Sequence, residues 1–283
     1  MITVLLSLGA ALAYGLSDFL GGVISRRTSV WPVAMLACAG AALGTLVLAF
    51  TVSGTPTGAD IAWGLLAGVG SGTGTAFLYR GFAKGRMGVV APVSAVGAAL
   101  LPAAIAVLTG ERPSTVVWVG IVAALPGIWL VSSTPEDPMQ AGPPRESVAA
   151  GAVDGILAGL GFGILFAALG QVPAGAGWWP LALAQLVSVP AVVVLATVLR
   201  ADWRPRGRTV HLAVVCGPLG AAATGLFLLS THLGFLTVAG VLASLYPAST
   251  VLLAALVLKE HVHRAQGVGL LLCGLAVAFV ATG

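Results

Sequence analysis

Apolar residues run in long blocks separated by short polar breaks. Ten blocks approach the roughly 20 residues that a helix needs to cross a bilayer: 2–25, 31–53, 61–82, 87–109, 115–133, 148–170, 178–199, 209–231, 236–258 and 265–282. The pattern predicts an all-α integral membrane protein of ten transmembrane helices. The first block has no Lys or Arg before it and is itself long enough to span, so the sequence predicts no cleavable signal peptide. The one true linker is 134–147, TPEDPMQAGPPRES, at the middle of the chain.

A linker in that position prompts a search for an internal repeat. Tyr14-Gly15 and Trp31-Pro32 recur 148 residues later as Phe162-Gly163 and Trp179-Pro180. At a shift of 149, Gly68 falls on Gly217, Gly85 on Gly234 and Gly110-Glu111 on Lys259-Glu260. Residues 1–133 and 148–283 therefore read as two five-helix repeats. Because five is odd, the second enters the membrane from the opposite side, giving inverted repeats, a common architecture of secondary transporters.

Composition supports a lipid setting. Charged residues are 8%, hydrophobic residues 58%, and the mean hydropathy is +1.05, whereas a soluble domain carries roughly 25% charged residues. The net charge of +4 does not point to nucleic acid, because the basic residues sit in short loops, where they orient a membrane protein. Twelve of the thirteen fall after odd-numbered blocks: Arg26 and Arg27, Arg80, Lys84 and Arg86, Arg145, the four arginines of 200–208, Lys259 and Arg264. Only Arg112 lies on the other side. The twelve-charge face is expected to be cytoplasmic, with both termini extracytoplasmic. Cys38, Cys216 and Cys273 stand singly in apolar blocks and read as buried small side chains.

Further motifs point to a family. They are Ala-Tyr-Gly-Leu-Ser-Asp-Phe-Leu-Gly-Gly (13–22) followed by Ser25-Arg26-Arg27, Tyr79-Arg80-Gly81, Gly85-Arg86-Met87-Gly88-Val89-Val90-Ala91-Pro92-Val93, and Gly110-Glu111-Arg112-Pro113. With the repeat, the whole chain resembles the EamA-type branch of the drug/metabolite transporter superfamily. The second half departs at Lys259-Glu260, and at Phe166, which stands where the first half has Asp18. The resemblance implies a cavity lined by helices 1, 3, 4, 6, 8 and 9, with 5 and 10 outside and able to pack against a second subunit. It also implies alternating access by rocking of the halves, with small metabolites or amphiphilic drugs as substrates.

Most of the nine acidic residues lie near helix ends, but Asp18 and Asp154 fall inside apolar blocks. An ionisable group there costs at least about 2.5–3.5 kcal/mol, which makes each a functional candidate. Asp18 lies eight residues, about 12 Å, before Arg26. Tyr14 shares its helix face at i−4, and Ser17 reads as facing elsewhere. Low dielectric favours the protonated carboxyl form, so Asp18 is a candidate to hold a cationic substrate group or a coupling proton. The structural alternative has Asp18 capping a break at Gly21-Gly22 or pairing with Arg80. Tyr79, Ser94, Phe162 and Tyr246 are further candidate cavity residues. Arg80 reads as a topology determinant or an anion ligand, and His232 as a residue of the helix 8–9 turn.

Some motifs mislead. The run Gly68-Val-Gly70-Ser-Gly72-Thr-Gly74 imitates a nucleotide loop but lies within the membrane, and Gly64, Gly68 and Gly72 read as a close-packing face. His261-Val-His263 lacks a third metal ligand. Glu111 and Glu260 read as structural residues of helix-connecting turns. No cofactor or metal is expected. The reading is a secondary active transporter in the plasma membrane, with export as the expected direction and proton coupling. The expected partners are a small-molecule substrate, the lipid bilayer and a second copy of the chain. The alternatives are an intramembrane lipid-modifying enzyme and a non-transporting scaffold or lipid-flippase subunit.

Overall fold

A computed structural model describes residues 1–25, 27–84, 87–132, 148–257 and 263–282. The expected linker 134–147, Arg26, Gly85, Arg86, Lys259, Glu260 and His261 lie outside the described residues. The described residues form α1 (Ile2–Ser25), α2 (Val30–Ala49), α3 (Gly58–Ala83), α4 (Met87–Leu108), α5 (Thr115–Ser132), α6 (Val148–Leu169) and α7 (Trp179–Val198). They continue with α8 (Arg208–His211), α9 (Cys216–Leu233), α10 (Leu236–Ala243), α11 (Tyr246–Val257) and α12 (Arg264–Thr282). Among the described residues, eight stretches are long and apolar enough to span a membrane, and Thr115–Val131 and Leu236–Thr250 are shorter apolar helices. The chain is an all-α, multi-pass membrane protein of about eight to ten spans.

Local chemistry explains several helix ends. The Thr57 hydroxyl accepts from Asp60 N (3.3 Å) and the Asp60 carboxylate accepts from Thr57 N (2.8 Å), a reciprocal cap that starts α3. Pro180 occupies the first turn of α7, where no N–H is needed.

The structure corrects two expected single helices. The block 209–231 enters through α8 and a 3₁₀ turn, Leu212–Val215, before α9. The block 236–258 divides at Ser244-Leu245. Pro218 and Pro247 withhold N–H groups from the carbonyls four residues earlier. Proline alone does not decide this, since α4, α5 and α7 run on through Pro92, Pro102, Pro126 and Pro190. At 244–245 the turn also tightens, with Leu245 N bonding Leu242 O (3.2 Å) and Ala248 N bonding Leu245 O (2.9 Å).

Packing follows small residues. α3 lies between α6 and α7, α1 against α9, α10 and α11, α4 between α6 and α10, and α2 between α7 and α9, while α5 pairs with α12. Gly64, Gly68 and Gly72 present one face of α3 to the carbonyls of Pro180, Ala184 and Ser188, and a Cβ at any of them would strike those backbone atoms. This is the close packing expected of the glycine run.

Outside the helices, Thr55 N bonds Gly175 O (3.0 Å) and Thr3 Oγ1 bonds Leu233 O (3.0 Å). Glu111 is structural, as expected. Its carboxylate accepts from Leu236 N (2.6 Å), Thr237 N (3.0 Å) and Thr237 Oγ1 (2.6 Å), capping α10 from the turn after α4.

Gly68→Leu should force α3 from α7 and destabilise the protein by about 1–3 kcal/mol or more. Gly274→Ala, where an added methyl meets nothing within 4 Å, should be neutral. Thermal unfolding in detergent compares the two, and equal melting temperatures would contradict the packing account.

Candidate functional site

Tyr14, Ser17 and Asp18 stand at i, i+3 and i+4 on α1 and face the interior together. They border a cavity of about 50 Å³ whose other walls come from Ala37, Cys38 and Ala41 of α2, Ser71, Thr75 and Tyr79 of α3, Phe162 and Leu165 of α6, Gln185 of α7, and Cys216, Gly220 and Thr224 of α9. A smaller gap adjoins it, lined by Tyr14, Asp18, Phe162, Phe166 and Tyr246. Asp18 therefore borders both a polar and an aromatic chamber.

The polar chamber is organised by α3. Ser71, Thr75 and Tyr79 repeat every four residues, a stripe about 12 Å long. At one end Ser71 Oγ donates to Gln185 Oε1 (3.4 Å), and Gln185 Nε2 donates to Thr224 Oγ1 (3.2 Å). At the other end Tyr79 fills the space left by Gly21, where a Cβ would collide with its ring. Ser17 Oγ donates to Cys216 O at 3.1 Å, tying α1 to α9.

Partnering singles out Asp18. Four of the nine acidic residues, Glu136, Asp137, Glu146 and Glu260, lie outside the described residues. Of the other five, Asp60 and Glu111 cap helices, Asp154 is ion-paired and Asp202 pairs with Arg206 at 2.6 Å. Among the described residues the Asp18 carboxyl makes no hydrogen bond or ion pair, although the residue is only 9% exposed. The buried Tyr14 hydroxyl likewise has no partner. A carboxyl group without protein partners in a water-sized cavity can hold a proton or a ligand cation.

The other candidates fall as follows. Tyr79 and Phe162 line the larger chamber and Tyr246 the smaller. Ser94 does not line either, since its hydroxyl lies behind Tyr246, 2.6 Å from that phenol oxygen. Ser17, expected to face elsewhere, joins Asp18, because three residues from Tyr14 is as much the same face as four. Arg80 pairs with Asp154 and not with Asp18. Its Nε donates to Asp154 Oδ1 (2.8 Å), a second contact comes from Nη2, and Lys84 Nζ lies 3.5 Å from Oδ2. The Arg80 guanidinium also covers the Phe77 ring at 4.6 Å. His232 Nε2 sits 2.9 Å from Val172 O, away from the cavity.

Helices α2 and α7 contribute to the lining beyond the expected set, and among the described residues α4 does not. Gln185 was not foreseen. The available signal in the sequence is an amide alone in an apolar block. Cys38 and Cys216 are buried free thiols at the cavity wall, and Cys273 is buried elsewhere. Among the described residues no three metal-binding side chains come together.

Residues 1–133 match the family model described as the EamA-like transporter family. No curated protein matches the chain. Seventeen chains of solved structure do. One is a protein of known crystal structure that is 15% identical, with a TM-score of 0.72 over 99% of this chain and 96% of its own. At that identity the likeness speaks for the fold alone.

The buried ion pair yields a thermodynamic prediction. Asp154→Asn strands Arg80 and Lys84 beside a neutral amide and should destabilise by about 3–5 kcal/mol. Adding Arg80→Gln should recover part of that loss. Additive single and double variants in a thermal-unfolding cycle would show that the two side chains do not interact.

Proposed function

We propose that this chain, whose residues 1–133 are an EamA-like transporter domain of the drug/metabolite transporter superfamily, is a secondary active exporter of small metabolites or amphiphilic compounds. It works by alternating access between two inverted five-helix halves, 1–133 and 148–283. The observation that carries this reading is Asp18, an unpartnered carboxyl group in a cavity walled by both halves.

The lining residues support the repeat. At shifts of 148 or 149, Tyr14 corresponds to Phe162, Asp18 to Phe166, Ala37 to Gln185, Ser71 to Gly220 and Thr75 to Thr224, and all ten border the chambers. Packing follows the same exchange. Gly68 meets α7 and its counterpart Gly217 meets α2, while Gly15 meets α11 and its counterpart Gly163 meets α4.

The cavity is far below the roughly 300–1,000 Å³ of a metabolite site. The halves must part to admit substrate. Two of the contacts between them that oppose this involve acidic side chains, Arg80 with Asp154 and Glu111 with the α10 N-terminus. Opening on one side breaks the first, opening on the other breaks the second, and each can stay made while the other yields. An empty ionised carboxylate is costly to carry through low dielectric, so the carrier reorients with Asp18 neutralised by a proton or a cationic group. Proton coupling follows from exchange of the two.

Asp18→Asn should abolish proton-gradient-driven accumulation in proteoliposomes. Counterflow should survive if Asp18 carries only the proton and fail if it also holds substrate. Wild-type behaviour in both assays would remove Asp18 from the transport cycle.

The charge asymmetry of the loops supports a plasma-membrane protein with both termini extracytoplasmic and the 200–208 loop cytoplasmic. A cysteine added at either terminus should react with an impermeant maleimide in intact cells, against a low background because the native thiols are buried. Protection of both termini would reverse the orientation.

A further inference from the structure

We propose that Asp18 and the aromatic chamber beside it form a binding site for an organic cation, specifically a methylated or quaternary ammonium group. The inference rests on the reading of this cavity as the transport site, and it adds the chemical class of the ligand.

Charge is the first argument. Among the described residues, Asp18 is the one charged side chain bordering either chamber. An anionic ligand would face a carboxyl group and, among the described residues, no compensating cation on the chamber walls, since Arg80 is committed to Asp154. A cation meets a carboxylate that no protein donor already occupies. At the corresponding position of the second half stands Phe166, so the site carries a single acidic group opposite a phenyl ring.

The second argument is the nature of the walls. Around Asp18 the small chamber presents four aromatic rings: Tyr14, Phe162, Phe166 and Tyr246. Tyr14 meets Phe166 edge to face at 5.6 Å and Phe162 meets Tyr246 at 6.5 Å and 73°. Aromatic faces attract cations through their quadrupoles, most effectively when water is excluded.

Hydrogen-bonding capacity then selects among cations. A primary ammonium brings three N–H donors, and among the described residues the free acceptors of this chamber are the Asp18 carboxyl and the Tyr14 hydroxyl. Phe162 and Phe166 have none, and the Tyr246 hydroxyl is engaged with Ser94. A methylated ammonium makes no such demand, and its charge spreads over C–H surface that suits the rings. The adjoining chamber, with Ser71, Thr75, Gln185 and Thr224, takes a neutral hydrogen-bonding remainder.

The site is also built across the moving parts. Asp18 and Tyr14 come from the first half, and Phe162, Phe166 and Tyr246 from the second. The gap of about 10 Å³ is closed to such a group, so the rings part to admit it and enclose it as the halves return. Tyr246 is held for this by its bond to Ser94 and by its place at the break before α11.

Calorimetric titration of the purified protein with choline tests the proposal, using 3,3-dimethylbutan-1-ol as its uncharged isostere, ethanolamine as the primary amine and succinate as an anion. Choline should bind, ethanolamine more weakly, and the isostere and succinate not measurably. Phe166→Leu and Tyr246→Leu should each weaken choline binding roughly 2- to 30-fold, and Tyr246→Phe, which keeps the ring but loses the bond to Ser94, should weaken it less than Tyr246→Leu. The ligand series on the wild-type protein stands even if a leucine variant does not fold. Equal binding of choline and its isostere, preference for succinate, or no binding of choline would overturn the proposal. If choline does not bind but another solute shows Asp18-dependent counterflow, the transport reading survives and only the ligand class fails.

Discussion

Lipid removes the force that normally drives helices together, because a hydrocarbon tail is as apolar as a leucine side chain. Association then depends on how closely backbones approach. In this protein that closeness comes from glycine, and α3 shows what depends on it. One face, Gly64, Gly68 and Gly72, lies on the carbonyls of α7, while Gly70 and Gly74 lie on α6. With α3 clamped on two sides, the remaining face is fixed, and it carries Ser71, Thr75 and Tyr79 into the cavity. The polar site is therefore a consequence of glycine packing on the opposite faces of the same helix.

The same medium punishes unsatisfied polar groups, and the chain meets that cost locally. Thr45, Thr73, Thr197 and Ser244 each donate to a carbonyl four residues back in their own helix. Asp154 is buried to 1% exposure but lies against Arg80 and Lys84. Against this background an unpartnered Asp18 beside an unpartnered Tyr14 hydroxyl is an exception among the described residues.

In the proposed repeat, asymmetry between paired positions gives the cavity its chemistry. Tyr14 and Asp18 face Phe162 and Phe166 from corresponding positions, so a carboxyl group opposes a ring where strict symmetry would oppose two carboxyls. Two like charges there would repel, whereas one carboxyl group enclosed by rings favours a single positive charge. Ala37 and Gln185 repeat the pattern, with the amide on one side only. The two ends of the cavity thus differ in the side chains they present.

The amino-acid sequence alone determined that this chain lives in a bilayer, where its apolar blocks lie, which glycines pack and which acids sit within spans. These follow from composition and local periodicity, which tertiary structure does not alter. It also marked the EamA-like domain and Asp18 as the candidate residue. Only the tertiary structure decided that Arg80 serves Asp154, that Ser17 turns toward Asp18, that α2 and α7 line the cavity, and that Ser94 stands behind Tyr246. It also decided that Gln185 faces Ser71 and Thr224, and that the chain bends before Tyr246. Each of these depends on the azimuth and depth at which one helix meets another. In nearly featureless apolar helices of low amphipathicity, no polar face announces that orientation, and it is set by where glycine allows the backbones to touch.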